Sequence, residues 1–282
     1  HGTHDILSRK NEHSPTHPIN VPKLCGDCHR EGEKSAIRKT ASETNIVANY
    51  TMSIHGDGLI NSGLAVSASC SSCHTSHEIL PKKDPHSTVS PQKIGETCAN
   101  CHSGIFDKFK TSVHSPEVSK TEKQLPVCND CHSSHEIARH DVGGFRLDIA
   151  NQCGKCHEES METYFMTYHG KASKLGRPGT AKCSDCHGSH AILTAADPKS
   201  ALHKDKIVET CANCHPGSNK NFAGFLPHAT HDDREKYPIL FYSYWAMVVL
   251  LIGTFALFGL HSILWLGRGI IDKSKKNQSR SD

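Results

Sequence analysis

The chain has 282 residues, with 14 Cys, 23 His, 36 % hydrophobic and 6 % aromatic residues, and a formal charge of +3 with neutral His. This length would ordinarily hold one or two domains with apolar cores, but the apolar side chains are too few for that once one C-terminal stretch is set aside. The charge is nearly balanced and no basic patch is suited to nucleic acid, so a nucleic-acid partner is excluded.

All fourteen cysteines fall in seven CxxCH motifs. In chain order these are Cys25, Cys28 and His29; Cys70, Cys73 and His74; Cys98, Cys101 and His102; Cys128, Cys131 and His132; Cys153, Cys156 and His157; Cys183, Cys186 and His187; and Cys211, Cys214 and His215. CxxCH is the attachment signature of a c-type haem: two thioethers hold the porphyrin and the adjacent histidine ligates the iron. Zinc ribbons, dithiol redox sites and disulfide frameworks also use paired cysteines. None of them needs a histidine directly after every second cysteine. Seven haem c groups would supply the missing apolar bulk, so folding is expected to depend on their attachment, as in small metal-dependent domains. Each haem brings two propionates against one net positive ferric iron, which takes the oxidised holoprotein to about −4. Haem attachment through cysteine implies export. The start at His1 rather than Met is expected to reflect processing or trimming.

The first segment, 1–49, reads as the back half of a module. HGTHDIL at 1–7 matches HTSHEIL at 74–80, placing His1 on His74, His4 on His77 and His13 on His86, and the register runs ungapped to Cys25 on Cys98. His1 therefore falls on an iron-ligating position. Two expectations stay open: an eighth haem whose cysteines precede His1, or a mature terminus that starts there. Three two-haem modules follow, at 50–108, 109–163 and 164–228. Each carries a leading histidine (His55, His114, His169), a CxxCHxSH, a connection and a plain CxxCH. Short helices and turns are expected throughout, with turns at Asp84-Pro85 and Asp197-Pro198. His228 stands where a further leading histidine would.

A histidine three residues after an iron ligand cannot wrap round its own porphyrin, but it can reach a neighbouring iron. The candidate distal ligands are His4, His77, His135 and His190 from that pattern, with His55, His114, His169 and His228 from the leading positions. The economical pairing has His55, His114 and His169 on the first haem of their own modules (His74, His132 and His187). It puts His4, His77, His135 and His190 on the second haem (His29, His102, His157 and His215) and leaves His228 for an eighth. Met ligation is not expected to be general with only four Met. His13, His17, His86, His140, His203 and His231 carry no assignment.

The segment 233–272 reads as a transmembrane helix with its flanks. Ile239–Leu266 holds 28 residues without a formal charge, and about 20 suffice to span. Aromatics crowd both ends (Tyr237, Phe241, Tyr242, Tyr244 and Trp245, then Trp265). Arg268, Lys273, Lys275, Lys276 and Arg280 follow, so the tail 273–282 is expected in the cytoplasm and the haem domain, 1–232, in the periplasm. His261, inside the span, is a candidate for a b-type haem or a quinone shared with a partner, or else a polar contact to another helix. About ten residues separate His228 from Pro238, which is expected to hold the last haems near the membrane surface.

CxxCHxSHxI followed by a second CxxCH resembles the multihaem cytochromes c related to cytochrome c554 and the octahaem reductases, over nearly all of 1–230. The closing stretch HDDREKYPILFYSYW…GTFALFGLHSILWL looks like the junction in periplasmic multihaem c / cytochrome b561-type fusion cytochromes, in which the periplasmic domain passes electrons from the quinol pool to periplasmic acceptors. This chain departs from that pattern in having one span, so the resemblance implies a separate membrane subunit. The expected fold class is mostly α and irregular: a haem-packed multihaem cytochrome c built of two-haem repeats, plus one transmembrane helix. The expected role is an electron-transfer subunit of the inner membrane, single-pass, between a membrane quinol-oxidising or b-type cytochrome subunit and a periplasmic redox partner. The alternative is a reductase of nitrite, hydroxylamine or tetrathionate type with one open haem site. No catalytic residue is assigned.

Overall fold

A computed structural model describes residues 1–33 and 45–278. Residues 34–44 within the half module and 279–282 of the basic tail, with Arg280, lie outside the described residues. The chain is helical, with no strand among the described residues, and divides into two units, His1–Phe225 and Leu226–Asp282.

In the first unit the helices are short because the motifs that nucleate them are short. Three CxxCH motifs each form one five-residue helix, Cys70–His74, Cys128–His132 and Cys183–His187. The third motif residue explains the start of each. Asp130 accepts the backbone N–H of Val127 at 2.8 Å, Asp185 that of Lys182 at 2.7 Å, and Ser72 that of Ser69 at 3.1 Å. An orphan donor is thereby satisfied at each helix entry. The helices stop because the next residue turns through positive φ: Thr75 at 65°, Ser133 at 63° and Gly188 at 81°. Thr75 and Ser133 hold ψ near ±180°, a region costly for any residue with a Cβ.

The plain motifs behave differently. Ile94–Lys110 runs through its motif, with a kink at His102 (φ −109°, ψ 40°). His157 takes nearly the same conformation (φ −108°, ψ 54°) before the helix Glu158–Met166.

The connections repeat as well. The N–H of Ser87 donates to Asp84 O and that of Ser200 to Asp197 O, while Ser14 donates to Asn11 O, at 2.9–3.0 Å. The residue before each serine donates its N–H to the same Asp or Asn side chain. These are the expected turns at Asp84-Pro85 and Asp197-Pro198. The same turn at Asn11 carries the repeat into 1–29, and Gly2, after His1, takes φ 77° as Gly188 does after His187.

Among the described residues, the buried apolar side chains are Val21, Tyr50, Leu59, Ala150 and Tyr164. Five side chains cannot supply the apolar burial that a unit of this size needs against its chain entropy. The second unit is dominated by the helix Pro238–Gln278. Its stretch Pro238–Lys273 has a mean hydropathy of 2.2 and is long and apolar enough to cross a membrane. At 1.5 Å per residue the 28 uncharged residues reach about 42 Å, more than the roughly 30 Å of hydrocarbon. Ahead of the span, His231 packs on Tyr244 with ring centroids 3.7 Å apart, and Arg234 lies over Tyr242. His261 is exposed on this helix.

Candidate haem ligand pairs

Among the described residues, six pairs of imidazoles face each other at one spacing. His1 and His77 have ring centroids 6.0 Å apart, His74 and His135 6.2 Å, and His132 and His190 6.0 Å. His55 and His102 lie 6.1 Å apart, His114 and His157 6.1 Å, and His169 and His215 6.0 Å. Two imidazoles on opposite sides of one metal ion, each with a metal–nitrogen bond of about 2.0 Å, put their centroids roughly 6 Å apart. At that separation the rings are too far apart to touch, and the gap matches a shared metal.

The donor set selects the group. No cluster of three or more His, Cys, Asp or Glu among the described residues could hold a bare ion. Two axial imidazoles leave four equatorial positions, which a porphyrin fills, and one ring of each pair, His1 excepted, closes a CxxCH. The residues therefore fit haem c: the cysteines would hold the porphyrin edge and the paired histidines the iron. No cysteine is in a disulfide, and each is half-buried or exposed.

The pairing runs opposite to the economical one. His55, His114 and His169 face the second haem histidine of their own modules (His102, His157, His215), not the first. His77, His135 and His190 face neither His102, His157 nor His215. They reach back one module, to His1, His74 and His132. The reason lies in the backbone. The positive-φ residue after each first-haem histidine reverses the chain and sends the ring three residues on toward the preceding module. That reversal is pinned by a bond between modules: Ile54 N–H donates to Ile137 O, and Val113 N–H to Ile192 O, each at 2.8 Å. Each donor precedes a leading histidine, and each acceptor lies two residues past the reaching histidine.

The leading histidines are set by a tight cap. Ser53 Oγ donates to Tyr50 O at 2.6 Å and accepts from Gly56 N–H at 3.1 Å. Thr167 repeats this with Tyr164 O at 2.7 Å and Gly170 N–H at 3.2 Å. A Cβ on Gly56 would lie 1.9 Å from Tyr50 O, and one on Gly170 2.1 Å from Tyr164 O. The middle module has Ser115 where the others have glycine, and there turns replace the short helix. The rings of Tyr50 and Tyr164 anchor the cap through hydroxyl bonds to Ala68 O and Ala181 O, both 2.9 Å.

Burial holds His55, His114, His132, His169 and His190 below the usual imidazole range, helped in the first four by the facing ring and in His190 by Lys108. Neutral imidazole is the form that ligates metal. The attachment sites are neighbours in chain order. The first thiols of consecutive motifs lie close enough between modules to act on each other's proton affinity: Cys70 lowers Cys25, Cys98 lowers Cys128 and Cys183 lowers Cys153. Within modules, Cys101 raises Cys73, Cys153 raises Cys131, and Cys211 raises Cys186, each after a larger effect of burial and, for Cys186, of Asp185.

The remaining expected ligands lie apart from these pairs. His4 Nδ1 bonds Thr3 Oγ1 at 3.1 Å and does not face His29. Among the described residues no imidazole ring faces His29 at the pair spacing. His187 closes its helix, and His228 lies in the second unit. The sequence reading missed both the direction of the pairing and the glycine cap. The recurring Ser/Thr-x-His-Gly of two modules was the available signal for the cap.

Residues 83–158 match the family model described as Cytochrome c7 and related cytochrome c. No curated protein matches the chain, and no solved structure does. The matched segment holds three of the CxxCH motifs, those ending at His102, His132 and His157. The match supports a multihaem cytochrome c region, a family that implies covalently bound haem c and electron transfer.

Proposed function

We propose that the chain is a membrane-anchored electron-transfer subunit that relays electrons between a membrane quinol-oxidising or b-type cytochrome partner and a periplasmic acceptor. Haem c, when bound, supplies one-electron ferric/ferrous chemistry. The residues of the chain hold it: fourteen cysteines for seven haems, with His29, His74, His102, His132, His157, His187 and His215 as proximal ligands. His77, His135, His190, His55, His114 and His169 act as distal ligands, and His228 is a further distal ligand. His1 and His77 form the axial pair of an eighth haem. The observation that carries this reading is the recurrence of one imidazole spacing at six places, because irons capped on both faces relay electrons and are closed to small molecules. The chain-order proximity of the attachment cysteines supports a continuous path.

The helix Pro238–Lys273 supports a single-pass anchor in the inner membrane, with the haem domain periplasmic and the tail cytoplasmic by its basic residues. His261 on this helix is the contact for a partner's b haem or a quinone.

The test is a haem count by intact mass with the ferric spectrum of the purified protein. Eight haems are expected, with low-spin ferric signals from the six irons held by the facing pairs, and several high-spin haems would overturn the reading. A reductase would instead use the haem on His29, which no imidazole ring faces among the described residues. It would show substrate-dependent reoxidation together with a high-spin ferric signal.

A further inference from the structure

The six imidazole pairs fall into two geometric sets. In the pairs that join two modules the ring planes are close to parallel: 9° for His1 and His77, 10° for His74 and His135, and 18° for His132 and His190. In the pairs that lie inside one module the planes are tilted: 40° for His55 and His102, 40° for His114 and His157, and 43° for His169 and His215. No value falls between 18° and 40°.

We infer that the chain builds two electronically distinct sets of haem, interleaved along its length, by fixing the angle between axial imidazole planes through two different backbone devices. This rests on the bis-imidazole reading above and deepens it. Each axial imidazole donates π density from one plane into the iron d orbitals. Parallel planes act on the same d orbital, split the pair and stabilise the ferric state. Tilting the planes shares the donation between both orbitals, reduces the splitting and favours the ferrous state. Ligand orientation imposed by the protein is thus a lever on the iron separate from ligand identity.

The backbone shows how each angle is held. In the near-parallel set, the reaching ring follows the positive-φ reversal at Thr75, Ser133 or Gly188. In both fully described seams it is locked by the bond from Ile54 to Ile137 or from Val113 to Ile192. In the tilted set the proximal ring sits at a helix kink, seen at His102 and His157, and the leading ring is set by the Ser53 or Thr167 cap in two modules of the three. The two devices alternate because first and second motifs alternate. The neighbouring cysteines Cys98 with Cys128, and Cys153 with Cys183, place second motifs beside first motifs in space. An electron moving along the chain therefore meets the two sets in turn.

The experiment is low-temperature EPR of the fully oxidised, full-length holoprotein, alone and in two variants. Two families of low-spin ferric signals are expected, with the larger maximal g value in the tilted set. His135→Ala should deplete the smaller-g family by one haem, and His55→Ala the larger-g family by one. Added imidazole should return each variant to low spin without restoring the original g value, since a free ligand lacks the backbone restraint. If a variant fails to assemble, His190→Met and His169→Met, which keep an axial ligand, make the same comparison. One homogeneous low-spin family, or depletion of the wrong family, overturns the inference and leaves the bis-imidazole reading standing. Several high-spin signals in the unaltered protein overturn that reading itself.

Discussion

Gly56→Ala probes the cap that aims His55. The added Cβ would meet Tyr50 O at 1.9 Å, and Tyr50 C and Thr51 Cα at 2.8 Å. All three are backbone atoms at the end of the helix Ile46–Met52, and Tyr50 is itself buried and anchored to Ala68 O. Relief requires moving backbone by more than an ångström, so the cost belongs at the upper end of the overpacking range, about 3 kcal/mol. Better helix propensity returns about 1 kcal/mol. The net loss is about 2 kcal/mol, which lowers the melting temperature by roughly 4–8 °C for a domain of this size. The alternative relief is displacement of the neighbouring His55 ring from His102, read as one haem turning high-spin.

Gly104→Ala is the control. It lies two residues past His102 in the helix Ile94–Lys110, and its Cβ would meet nothing within 4 Å. That variant should be neutral or stabilised by up to about 1 kcal/mol. Thermal melts followed in the Soret band, with the ferric EPR spectrum, check both. A Gly56→Ala protein that melts with the parent and stays fully low-spin would refute the cap argument, as would equal damage from Gly104→Ala.

Ile54→Pro removes the N–H that bonds Ile137 O but suits the first position of its short helix, after Ser53 in an extended conformation. It should cost about 1–3 kcal/mol through the unpaired carbonyl, measured by denaturant unfolding, and an unchanged midpoint would count against the seam between modules. Lys182 is buried, and its Nζ donates to the carbonyls of Thr180, Pro178 and Arg177 at 2.7, 3.1 and 3.4 Å. Lys182→Met should therefore destabilise by roughly 1–3 kcal/mol despite removing a buried charge, and a melt at or above the parent value would contradict that role. Protein made without haem attachment should show no cooperative melt, because five buried apolar side chains cannot hold a fold of this size. A sharp calorimetric transition in that protein would show a core independent of the haems.

Spacing along the chain marked the seven CxxCH motifs, their repeat, its echo in 1–29 and the apolar span. Each of these depends on contacts within a few residues, or on length and composition, and such chemistry is written locally. Six of the eight candidate distal histidines, all but His4 and His228, stand in the facing pairs, and recurrence at a fixed offset is what marks them in the sequence. Which histidine they face was not legible there. His135 is three residues from His132 and its ring meets that of His74, 61 positions away by the numbering. The choice between facing its own module and facing the previous one is made by the φ of a single residue, Ser133, and by the bond from Ile54 to Ile137. The angle between the rings was likewise invisible, since it is the sum of two backbone directions that come together only when the modules dock. Short-range geometry defines what can bind, and the packing of one repeat on the next decides which two rings share a metal and at what angle.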